Sequence, residues 1–320
     1  MKAIVYTKYG SPDVLQLKEV DKPAPKENEV LVRVNATTVN RTDCANLSAK
    51  PFIMRFVIGL FKPRKTIPGT DFAGKIETVG PNVKSFKIGD KIFGFDDQVL
   101  SSQAQYLCIS EEKAILKIPE NLSYEEAVAC AEGTHYAYNT INKVNIKKDQ
   151  KILINGATGA IGSATLQISK YLGAEVVAVC DTKNIPLIKS LGADRVIDYL
   201  KEDFTKEKEQ YDYVFDTVGK STFNKCKPIL KDKGIYISSE LGWMASNIFY
   251  SISTCFVGNK KVIFPIPKDI KDSLNFIKDL IEQGKFKAVI DRIYPLEQIA
   301  DAYRYVEKGY KTGNVIIKVG

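Results

Sequence analysis

The chain has 320 residues, a net charge of +8, and 44% hydrophobic and 26% charged residues. These proportions are typical of a water-soluble globular protein, and the length allows two domains of ordinary size. The 46 lysines and arginines are spread along the whole chain, and no block is basic enough to predict a nucleic-acid-binding arm. We therefore expect no nucleic acid as a partner.

Neither a membrane span nor a disulfide framework is predicted. The six cysteines are far apart and contain no C-x-x-C pair, which favours reduced, buried thiols. The opening MKAIVYTKYG begins a strand pattern at once and leaves no room for a signal peptide. The apolar stretches 51–61 and 241–257 fall short of the roughly 18–20 apolar residues of a spanning helix. We interpret them as buried or interface segments, with contact to a membrane surface left open, and expect a cytoplasmic protein.

The first 120 residues are predicted to be rich in strands. Turn-forming residues separate the runs KAIVYT, VLQLKEV, EVLVRVNATTV, GKIETVG and AQYLCI, which alternate or are β-branched. Because helices and strands do not alternate here, this part is not a doubly wound sheet.

The pattern changes near Ser123, which forms a capping-box signal with Glu126. From residue 150 to about 262, apolar strands alternate with helices predicted at 160–172, 184–191 and 221–230, which indicates a parallel sheet covered on both faces. A further helix is predicted at about 269–283. The tail VIDRIYPLEQIADAYRYVEKG and NVIIKVG then returns to strand, helix and strand, and could close back onto the first domain.

The clearest functional signal is KILINGATGAIGSATLQISKYLGAEVVAVCDTKN. A buried strand leads into Gly156, Gly159 and Gly162, then into a helix and a second strand. Such glycines allow a tight turn and close approach of the backbone to a pyrophosphate, which the helix N-terminus attracts. Three glycines alone are weak evidence, but the complete strand–loop–helix–strand context predicts a dinucleotide site.

The end of the second strand decides between NADPH and NADH. A carboxylate there holds the ribose 2′-hydroxyl of NAD, whereas a cation accommodates the 2′-phosphate of NADP. Asp181 and Lys183 both lie in this turn, and Cys180 could occupy the ribose position instead of Asp181. We favour NADPH, with NADH as the alternative.

Taken together, these motifs resemble those of the medium-chain dehydrogenase/reductase superfamily, and most closely its zinc-free quinone oxidoreductase-like branch. The resemblance covers essentially all 320 residues and includes GTDFAGKIETVG, KIGDKIFGF, NGATGAIG, SLGADRVIDY and YDYVFDTVG in that order. It implies an α/β protein with a β-rich GroES-like catalytic domain (1–122 and 266–320) and an inserted Rossmann domain (123–265). It also implies that the cleft between the two domains binds the nicotinamide, and that the chain dimerises through the last Rossmann strand, near 258–265.

The resemblance also assigns cofactor-binding residues. In chain order they belong to the pyrophosphate loop, the turn around the adenosine ribose and 2′-phosphate, the ends of later Rossmann strands, and a C-terminal turn over the cofactor. These residues are Gly156, Ala157, Thr158, Gly159, Ala160, Ile161, Gly162, Asp181, Thr182, Lys183, Tyr199, Val218, Gly219, Ser238, Ser239, Gly313 and Asn314.

The places of the family's metal ligands hold other residues. Zinc-dependent relatives have a Cys and a His-Glu pair around the catalytic metal, and here Asn40 takes the Cys place while Thr70 and Asp71 take the His-Glu places. Catalytic zinc usually needs three ligands from Cys, His, Asp or Glu. The four-cysteine lobe of such relatives is reduced to Cys108. We therefore expect no metal.

Four residues are candidates for the substrate pocket. His135 is the only histidine; it could polarise a substrate carbonyl or donate a proton, or it could be a structural, hydrogen-bonded histidine. Asp43 and Asp71 are either pocket residues or turn and capping residues, and we favour the structural interpretation for these three. Asn40 is the main candidate for a hydrogen-bond donor to the substrate oxygen.

The predicted function is zinc-independent, NADPH-dependent hydride transfer to a quinone or an α,β-unsaturated carbonyl compound. The substrate would be a small hydrophobic electrophile, and stretch 51–61 would form part of its entrance. Alternatives left open are an enoyl-thioester reductase, a zinc-free alcohol dehydrogenase-like enzyme, a cofactor- or RNA-binding protein without turnover, and a structural protein of the lens-crystallin kind.

Overall fold

Two compact units make up the chain in a computed structural model, which describes residues 1–238, 240–242 and 245–320. The first unit comprises Met1–Glu132, Ile270–Glu282 and Ala288–Gly320, and the second comprises Gly133–Asp269 and Gln283–Lys287. The chain thus leaves the first unit and later returns to it, as the sequence pattern of the tail predicts.

The strands of the described residues are β1 (Lys2–Val5), β2 (Gln16–Glu19), β3 (Glu29–Val39), β4 (Asp71–Val79), β5 (Lys91–Phe95), β6 (Tyr106–Ser110), β7 (Ile115–Lys117), β8 (Lys151–Asn155), β9 (Glu175–Cys180), β10 (Arg195–Asp198), β11 (Tyr211–Asp216), β12 (Leu230–Ser238), β13 (Lys261–Ile263), β14 (Ile290–Pro295) and β15 (Asn314–Lys318). The α-helices are α1 (Arg41–Ser48), α2 (Arg55–Ile58), α3 (Tyr124–Ala129), α4 (Glu132–Ile141), α5 (Ala160–Tyr171), α6 (Ile185–Ser190), α7 (Phe223–Cys226), α8 (Ser246–Phe256), α9 (Ile270–Glu282) and α10 (Ile299–Glu307).

The first unit is built on a largely antiparallel sheet. Its strands lie in the order β14-β15-β3-β4-β5-β7, with β6 also paired to β3, and β1 and β2 form a separate hairpin. The long strand β3 alternates buried valines with residues of the opposite face, and Val30, Val32 and Val34 pack into the core of this unit. Because β15 pairs with β3, the C-terminal strand completes the sheet that the N-terminal part begins.

Helix α3 also belongs to the first unit. It packs on β3, β4, β5 and β15, all strands of that unit. The side chain of Ser123 accepts from the Glu126 backbone N–H, and the Glu126 carboxylate accepts from the Ser123 backbone, so the predicted capping box starts α3. The compact units therefore divide at residue 132 rather than at 122, and the functional domain division at 122 stays a prediction.

The second unit contains the predicted parallel sheet, with strand order β10-β9-β8-β11-β12-β13 and parallel pairing throughout. Strands β8, β9 and β11 are almost continuously buried, which explains their unbroken apolar sequences. The order of the strands reverses between β8 and β11, and such switch points are where doubly wound sheets bind ligands.

Two segments differ in detail from the sequence prediction. The helix predicted at 221–230 is shortened to α7 and a 3₁₀ turn, and β12 already begins at Leu230. Pro228 lies in this 3₁₀ turn, and its missing N–H explains the early end of α7. The apolar stretch 241–257 contains the short helix α8. Within the described ranges, no helix combines the length and hydrophobicity that crossing a membrane requires.

Candidate functional site

The glycine-rich loop of the second unit joins β8 to α5. Gly156 has φ of +81°, and a Cβ there would lie 2.3 Å from the Val218 Cγ1 atom. A Cβ on Gly162 would lie 2.1 Å from the carbonyl oxygen of Gly156. Both positions are therefore closed to any larger residue, which is the physical reason for glycine at the first and third positions of the motif.

Gly159 differs from these two glycines because it has free space around it. A Cβ there would have no heavy atom nearer than 3.6 Å, and the Gly159 N-cap gives α5 no side-chain cap. The N–H groups of the first helical turn, at Ala160 to Gly162, have no acceptor within the helix. Space beside the N-terminus of a helix fits the pyrophosphate of a dinucleotide cofactor. The remaining loop residues, Ala157 and Thr158, form the turn between strand and helix.

The turn after β9 holds the residues expected around the ribose. Asp181 is the N-cap of a 3₁₀ turn, where its carboxylate accepts from Asn184 Nδ2 and lies 3.7 Å from Lys183 Nζ. The Lys183 side chain is 68% exposed, so its ammonium group is accessible to a phosphate. Cys180, the alternative for the ribose position, is buried at the end of β9.

A second contact ties this turn to β10. The hydroxyl of Thr182 donates to the carboxylate of Asp198, the last residue of β10, and this hydrogen bond holds the pKa of Asp198 below its usual value. Tyr199 follows directly and is exposed. The structure thus brings Thr182, Lys183 and Tyr199 to neighbouring strand ends, and the 2′-phosphate contact that the resemblance implies for them stays a prediction.

The ends of β8, β11 and β12 share a polar network that sequence reasoning missed. The carboxylate of Asp216 accepts from Asn155 Nδ2 at 3.0 Å and from Tyr236 Oη at 2.9 Å. The backbone N–H of Ser221 also donates to it, at 3.0 Å. This buried carboxylate fixes the loop that carries Val218 and Gly219. Its sequence signal was an acidic residue at the end of an apolar strand, in YDYVFD.

Ser238 is buried at the end of β12, and its hydroxyl accepts from the backbone N–H of Glu240 at 3.3 Å. Gly219 has φ of +64°, and a Cβ there would lie 2.4 Å from Glu240 Cγ. The loops after β11 and β12 therefore pack against each other. Ser239, also predicted to bind the cofactor, lies outside the described residues.

The first unit contains a second group of predicted site residues, around Asn40. The Asn40 side chain is the N-cap of α1: its oxygen accepts from the backbone N–H of Asp43 at 2.8 Å. Its amide nitrogen donates to Thr70 Oγ1 at 2.8 Å and to Thr38 Oγ1 at 3.3 Å. The capping role follows from the sequence NRTD, but the contact with Thr70 joins two separate parts of the chain.

Asp71, the first residue of β4, is fully buried and accepts several hydrogen bonds. Its Oδ1 accepts from the Thr38 backbone N–H at 2.8 Å, and its Oδ2 accepts from the Thr38 hydroxyl at 2.6 Å. The Thr37 hydroxyl donates to the Asp71 carbonyl oxygen at 2.7 Å. Burial raises the pKa of Asp71 to about 6, although these hydrogen bonds oppose the shift. Asp71 therefore fastens β4 to β3.

Two further buried carboxyl groups surround this cluster. Burial and the neighbouring Asp71 raise the pKa of Asp43 well above its usual value, which favours its protonated form. Burial also raises the pKa of Glu132 to about 7, while the nearby Lys311 opposes that shift. The Thr42 hydroxyl donates to Glu132 Oε1 at 3.1 Å. Sequence reasoning missed Glu132 and Lys311, because only the folded first unit brings residues 42, 132 and 311 together.

This cluster does not fit a catalytic zinc ion. The side chains of Asn40, Thr70 and Asp71, which the resemblance implies at the places of the metal ligands, bond to one another or to Thr37, Thr38 and Asp43. An amide and a hydroxyl are also poor substitutes for the Cys and His that zinc prefers. Across the described ranges 1–238, 240–242 and 245–320, no group of three His, Cys, Asp or Glu side chains is arranged to hold a metal.

His135 belongs to the second unit, in α4, and is buried. Its Nδ1 lies 3.3 Å from Asn139 Nδ2, and the Asn139 oxygen accepts from the Lys268 backbone N–H at 2.8 Å. Burial lowers the pKa of His135 to about 4, against the opposing charge of Asp269. The ring is therefore neutral at pH 7, and its burial beside Asn139 fits the structural interpretation, while a role in polarising a substrate carbonyl stays a prediction.

Gly313 and Asn314 lie in the first unit, at the start of β15. Gly313 has φ of +72°, and a Cβ there would lie 2.2 Å from the Val289 carbonyl oxygen. The Asn314 side chain donates to the carbonyl oxygens of Ala129 and Val289 at 3.1 and 3.0 Å. These contacts hold the turn before the last strand in place, and the cofactor contact expected of the two residues stays a prediction.

Comparison with known proteins identifies the family. Residues 26–120 match the model described as alcohol dehydrogenase GroES-like domain, and residues 191–317 match the model described as zinc-binding dehydrogenase. A 2-methylene-furan-3-one reductase of Solanum lycopersicum is 33% identical, covering 99% of this chain and 79% of the relative. A chloroplastic NADPH-dependent alkenal/one oxidoreductase of Arabidopsis thaliana is 30% identical over the same shares of the two chains.

Solved structures agree with these matches. The quinone oxidoreductase of Coxiella burnetii has a TM-score of 0.86 and 25% identity, and the alignment covers 100% of this chain and 99% of that one. The predicted α/β fold class, with a GroES-like and a Rossmann part, is confirmed, and so is the predicted oxidoreductase class. The chain belongs to the medium-chain dehydrogenase/reductase superfamily, in its quinone oxidoreductase-like branch.

Proposed function

We propose that the chain catalyses zinc-independent, NADPH-dependent reduction of small hydrophobic electrophiles, either α,β-unsaturated carbonyl compounds or quinones. The observation that carries this proposal is the chain of hydrogen bonds that joins Thr70 to Asn40 and, through Thr38, Asn40 to Asp71. Because these side chains are hydrogen-bonded within the protein, the site offers hydrogen bonds rather than a Lewis acid to a substrate oxygen. Acceptors that are already electrophilic need only binding and orientation.

Asn40 is the residue that we assign to the substrate oxygen. Its amide makes a bond of 2.8 Å to Thr70 and a longer one of 3.3 Å to Thr38. Exchanging the longer bond for a bond to a substrate oxygen would leave the capping contact with Asp43 intact. A donor at that oxygen stabilises the negative charge that builds up there as the β-carbon is reduced.

The other two aspartates have supporting roles in this proposal. Asp71 holds Thr38, and thus the partner of Asn40, in place through two hydrogen bonds. Asp43 completes the N-terminus of α1, where its carboxylate accepts from the Asn40 backbone N–H at 3.1 Å. We assign His135 a structural role, since it is buried beside Asn139, and we assign protonation of the product to solvent.

The cofactor assigned to the chain is NADPH, which supplies the hydride when bound. The space beside Gly159 and the N-terminal N–H groups of α5 would hold its pyrophosphate. The exposed ammonium of Lys183 would bind the 2′-phosphate, with Thr182 and Tyr199 beside it. The names of the relatives support this choice, because one of them is called NADPH-dependent and acts on alkenals and alkenones.

Deuterium labelling tests the reaction directly. The protein is incubated with NADPH deuterated at C4 of the nicotinamide and with a simple enal, and the product is examined by NMR. We expect deuterium at the β-carbon and an intact aldehyde group. Deuterium at the carbonyl carbon would instead identify an alcohol dehydrogenase-like enzyme. Turnover of enoyl thioesters, but not of free enals or quinones, would replace the proposed substrate class by thioesters.

A binding protein without turnover is the alternative from a different class. Cofactor binding in the absence of any turnover, or salt-dependent retention on RNA, would support it. The dispersed basic residues argue against RNA, since they form no block in the sequence.

We further propose a cytoplasmic homodimer. Strand β13 lies at the edge of the parallel sheet, where a second copy could add its own β13. Light scattering in solution tests the dimer, and a monomeric mass would contradict it. Microscopy of a fluorescent fusion tests the location; accumulation in an organelle, as the name of the Arabidopsis relative indicates for that protein, would contradict the cytoplasmic assignment.

A further inference from the structure

The segment from Lys50 to Lys65, named here the 50–65 segment, exposes an unusual amount of apolar surface. Six of its large apolar side chains are exposed by 41% to 87%, with Phe61 at the upper limit, while Met54 and Ile58 are half-buried. Single exposed apolar residues are ordinary, but a contiguous group of this size marks an interaction site. The exposed members are Phe52, Ile53, Phe56, Val57, Leu60 and Phe61.

All charged residues of the same segment are basic. It contains Lys50, Arg55, Lys62, Arg64 and Lys65 and no acidic residue, and the sequence holds no Asp or Glu between Asp43 and Asp71. Both of those aspartates are buried. Four of the five cations are exposed, the exception being the half-buried Arg55. Apolar and positively charged surface therefore coincide here, with no acidic side chain within the segment to neutralise the charge.

Hydrogen bonds hold the segment in a defined shape. The Tyr9 hydroxyl donates to the Gly59 carbonyl oxygen at 2.6 Å, and the Arg64 backbone N–H donates to the Ile58 carbonyl oxygen at 2.9 Å. The Arg55 guanidinium lies 5.1 Å from the centre of the Tyr9 ring and 5.4 Å from that of Phe52. Because its own backbone is fixed, the segment presents the phenylalanines without having to unfold.

We propose that the 50–65 segment docks the protein on the surface of a lipid bilayer that contains anionic lipids. Aromatic and branched apolar side chains enter the boundary between headgroups and acyl chains, while lysines and arginines are attracted to anionic headgroups. The charge complementarity favours this occupant over a second copy of the chain, which would bring an equal set of positive charges to the contact. The proposal goes beyond the proposed reaction and does not depend on it.

Helix α8 provides the contrast within the same chain. It also exposes apolar side chains, among them Phe249 and Phe256, the latter by 84%. Its sequence SNIFYSISTCF, however, contains no charged residue. A helix of this kind lacks the electrostatic attraction to anionic lipid, so Phe256 is a matched control for Phe61.

Vesicle co-sedimentation of the full chain tests the proposal. The protein is mixed with vesicles of phosphatidylcholine alone or of equal parts phosphatidylcholine and phosphatidylglycerol, at low and high salt. We expect binding to the anionic vesicles that weakens with salt. The double variant Phe56→Asp/Phe61→Asp should bind at least about tenfold more weakly, whereas Phe256→Asp should bind like the unchanged protein.

A second pair of variants separates charge from hydrophobicity. Lys50→Gln/Lys62→Gln should weaken binding to anionic vesicles by about fivefold per lysine and leave binding to neutral vesicles unchanged. The exposed pair Lys147→Gln/Lys148→Gln removes the same charge elsewhere and should have little effect. All these positions are exposed, so the variants should fold, and unchanged melting temperatures verify this.

Two results would overturn the proposal. The first is no vesicle binding at any salt concentration, and the second is binding that the changes at Phe56 and Phe61 leave intact. If the first result came with a change from dimer to monomer in Phe56→Asp/Phe61→Asp, seen by light scattering, the segment would be assigned to a contact between two copies of the chain. None of these measurements uses turnover, so their failure is distinct from failure of the proposed reaction.

Discussion

The side-chain amide of Asn40 donates a 2.8 Å hydrogen bond to the hydroxyl of Thr70, and both residues are buried. Asn40 begins α1, and Thr70 directly precedes β4. The sequence resemblance implies that the two residues stand at the places of a Cys and a His in the zinc-dependent members of the superfamily. In the proposed zinc-independent enzyme, this hydrogen bond takes the place of a pair of metal ligands, and the consequences of this exchange can be measured.

Replacing Asn40 should lower activity more than stability. Asn40→Ala removes both the cap of α1 and the proposed donor, so we expect a loss of about 1 kcal/mol in the free energy of unfolding and about 100-fold in kcat/KM. Asn40→Ser keeps a capping oxygen and one donor, and should recover most of both. Steady-state kinetics with an enal and thermal unfolding measure the two effects.

Ser123→Ala is the matched control for the cap. It breaks the capping box of α3, which resembles that of α1. The variant should lose as much free energy of unfolding as Asn40→Ala, with no change in kcat/KM. If Asn40→Ala lost only as much activity as Ser123→Ala, Asn40 would have a capping role alone.

The glycine loop predicts opposite effects for two similar substitutions. In Gly162→Ala the new Cβ meets the Gly156 carbonyl oxygen at 2.1 Å, so the backbone has to shift and the melting temperature should fall. In Gly159→Ala the nearest atom is 3.6 Å away, so the melting temperature should stay unchanged while the Kd for NADPH rises. Calorimetry and a binding titration distinguish the two. Unchanged NADPH binding in Gly159→Ala would contradict the pyrophosphate assignment.

Lys183 should decide the preference for NADPH. Its exposed ammonium group is the proposed partner of the 2′-phosphate, so Lys183→Gln should raise the Kd for NADPH about tenfold. The Kd for NADH should not change, because NADH lacks that phosphate. Lys189→Gln removes an exposed lysine from the following helix and serves as the control. An equal effect of Lys183→Gln on both cofactors would argue against this role.

The raised pKa of the buried Asp71 carboxyl predicts how the stability of the protein changes with pH. Its pKa is raised by burial to about 6, above the usual 3.8, so its contribution to stability is complete below about pH 4 and is lost as the pH rises through 6. Asp71→Asn lacks this titration. Relative to the unchanged protein, the variant should gain stability between pH 4 and pH 7, by about 3 kcal/mol at most.

Glu207→Gln is a control for which the change of stability with pH should have the opposite sign. A hydrogen bond from Arg195 holds the pKa of Glu207 below its usual value, so its contribution is present above the unfolded-state pKa and is lost as the pH falls. This variant should be less stable than the unchanged protein at pH 7, and the difference should shrink in acid. Parallel pH profiles for the two variants would contradict the assignment of Asp71. Thermal unfolding across the pH range provides the data.

The sequence predicts those parts of the fold that rest on local patterns. The strand EVLVRVNATTV is observed as Glu29–Val39 because its alternation matches a sheet with one buried face. The helix expected at about 269–283 is observed as Ile270–Glu282. The helix expected at 221–230 is much shorter, because Pro228 and the start of β12 end it.

The candidate site also has one part that local sequence predicts and one part that only tertiary packing creates. The glycine loop is local, so its turn and the following helix could be predicted from residues 151–171 alone. The contacts of Asn40 with Thr70, of Asp71 with Thr38, and of Thr42 with Glu132 join residues 30 to 90 positions apart. No period or motif in the sequence encodes such contacts, since tertiary packing of the first unit creates them.

Zinc-independent reduction is tested most directly by NADPH oxidation with a panel of enals and quinones, using protein treated with a strong metal chelator and assayed for bound metal. We expect steady turnover of at least one acceptor, at the same kcat/KM before and after treatment, with less than stoichiometric metal in the sample. Loss of activity on chelation that returns when zinc is added would show that the enzyme depends on zinc, and the absence of turnover with every acceptor would show that it is not a reductase of these compounds.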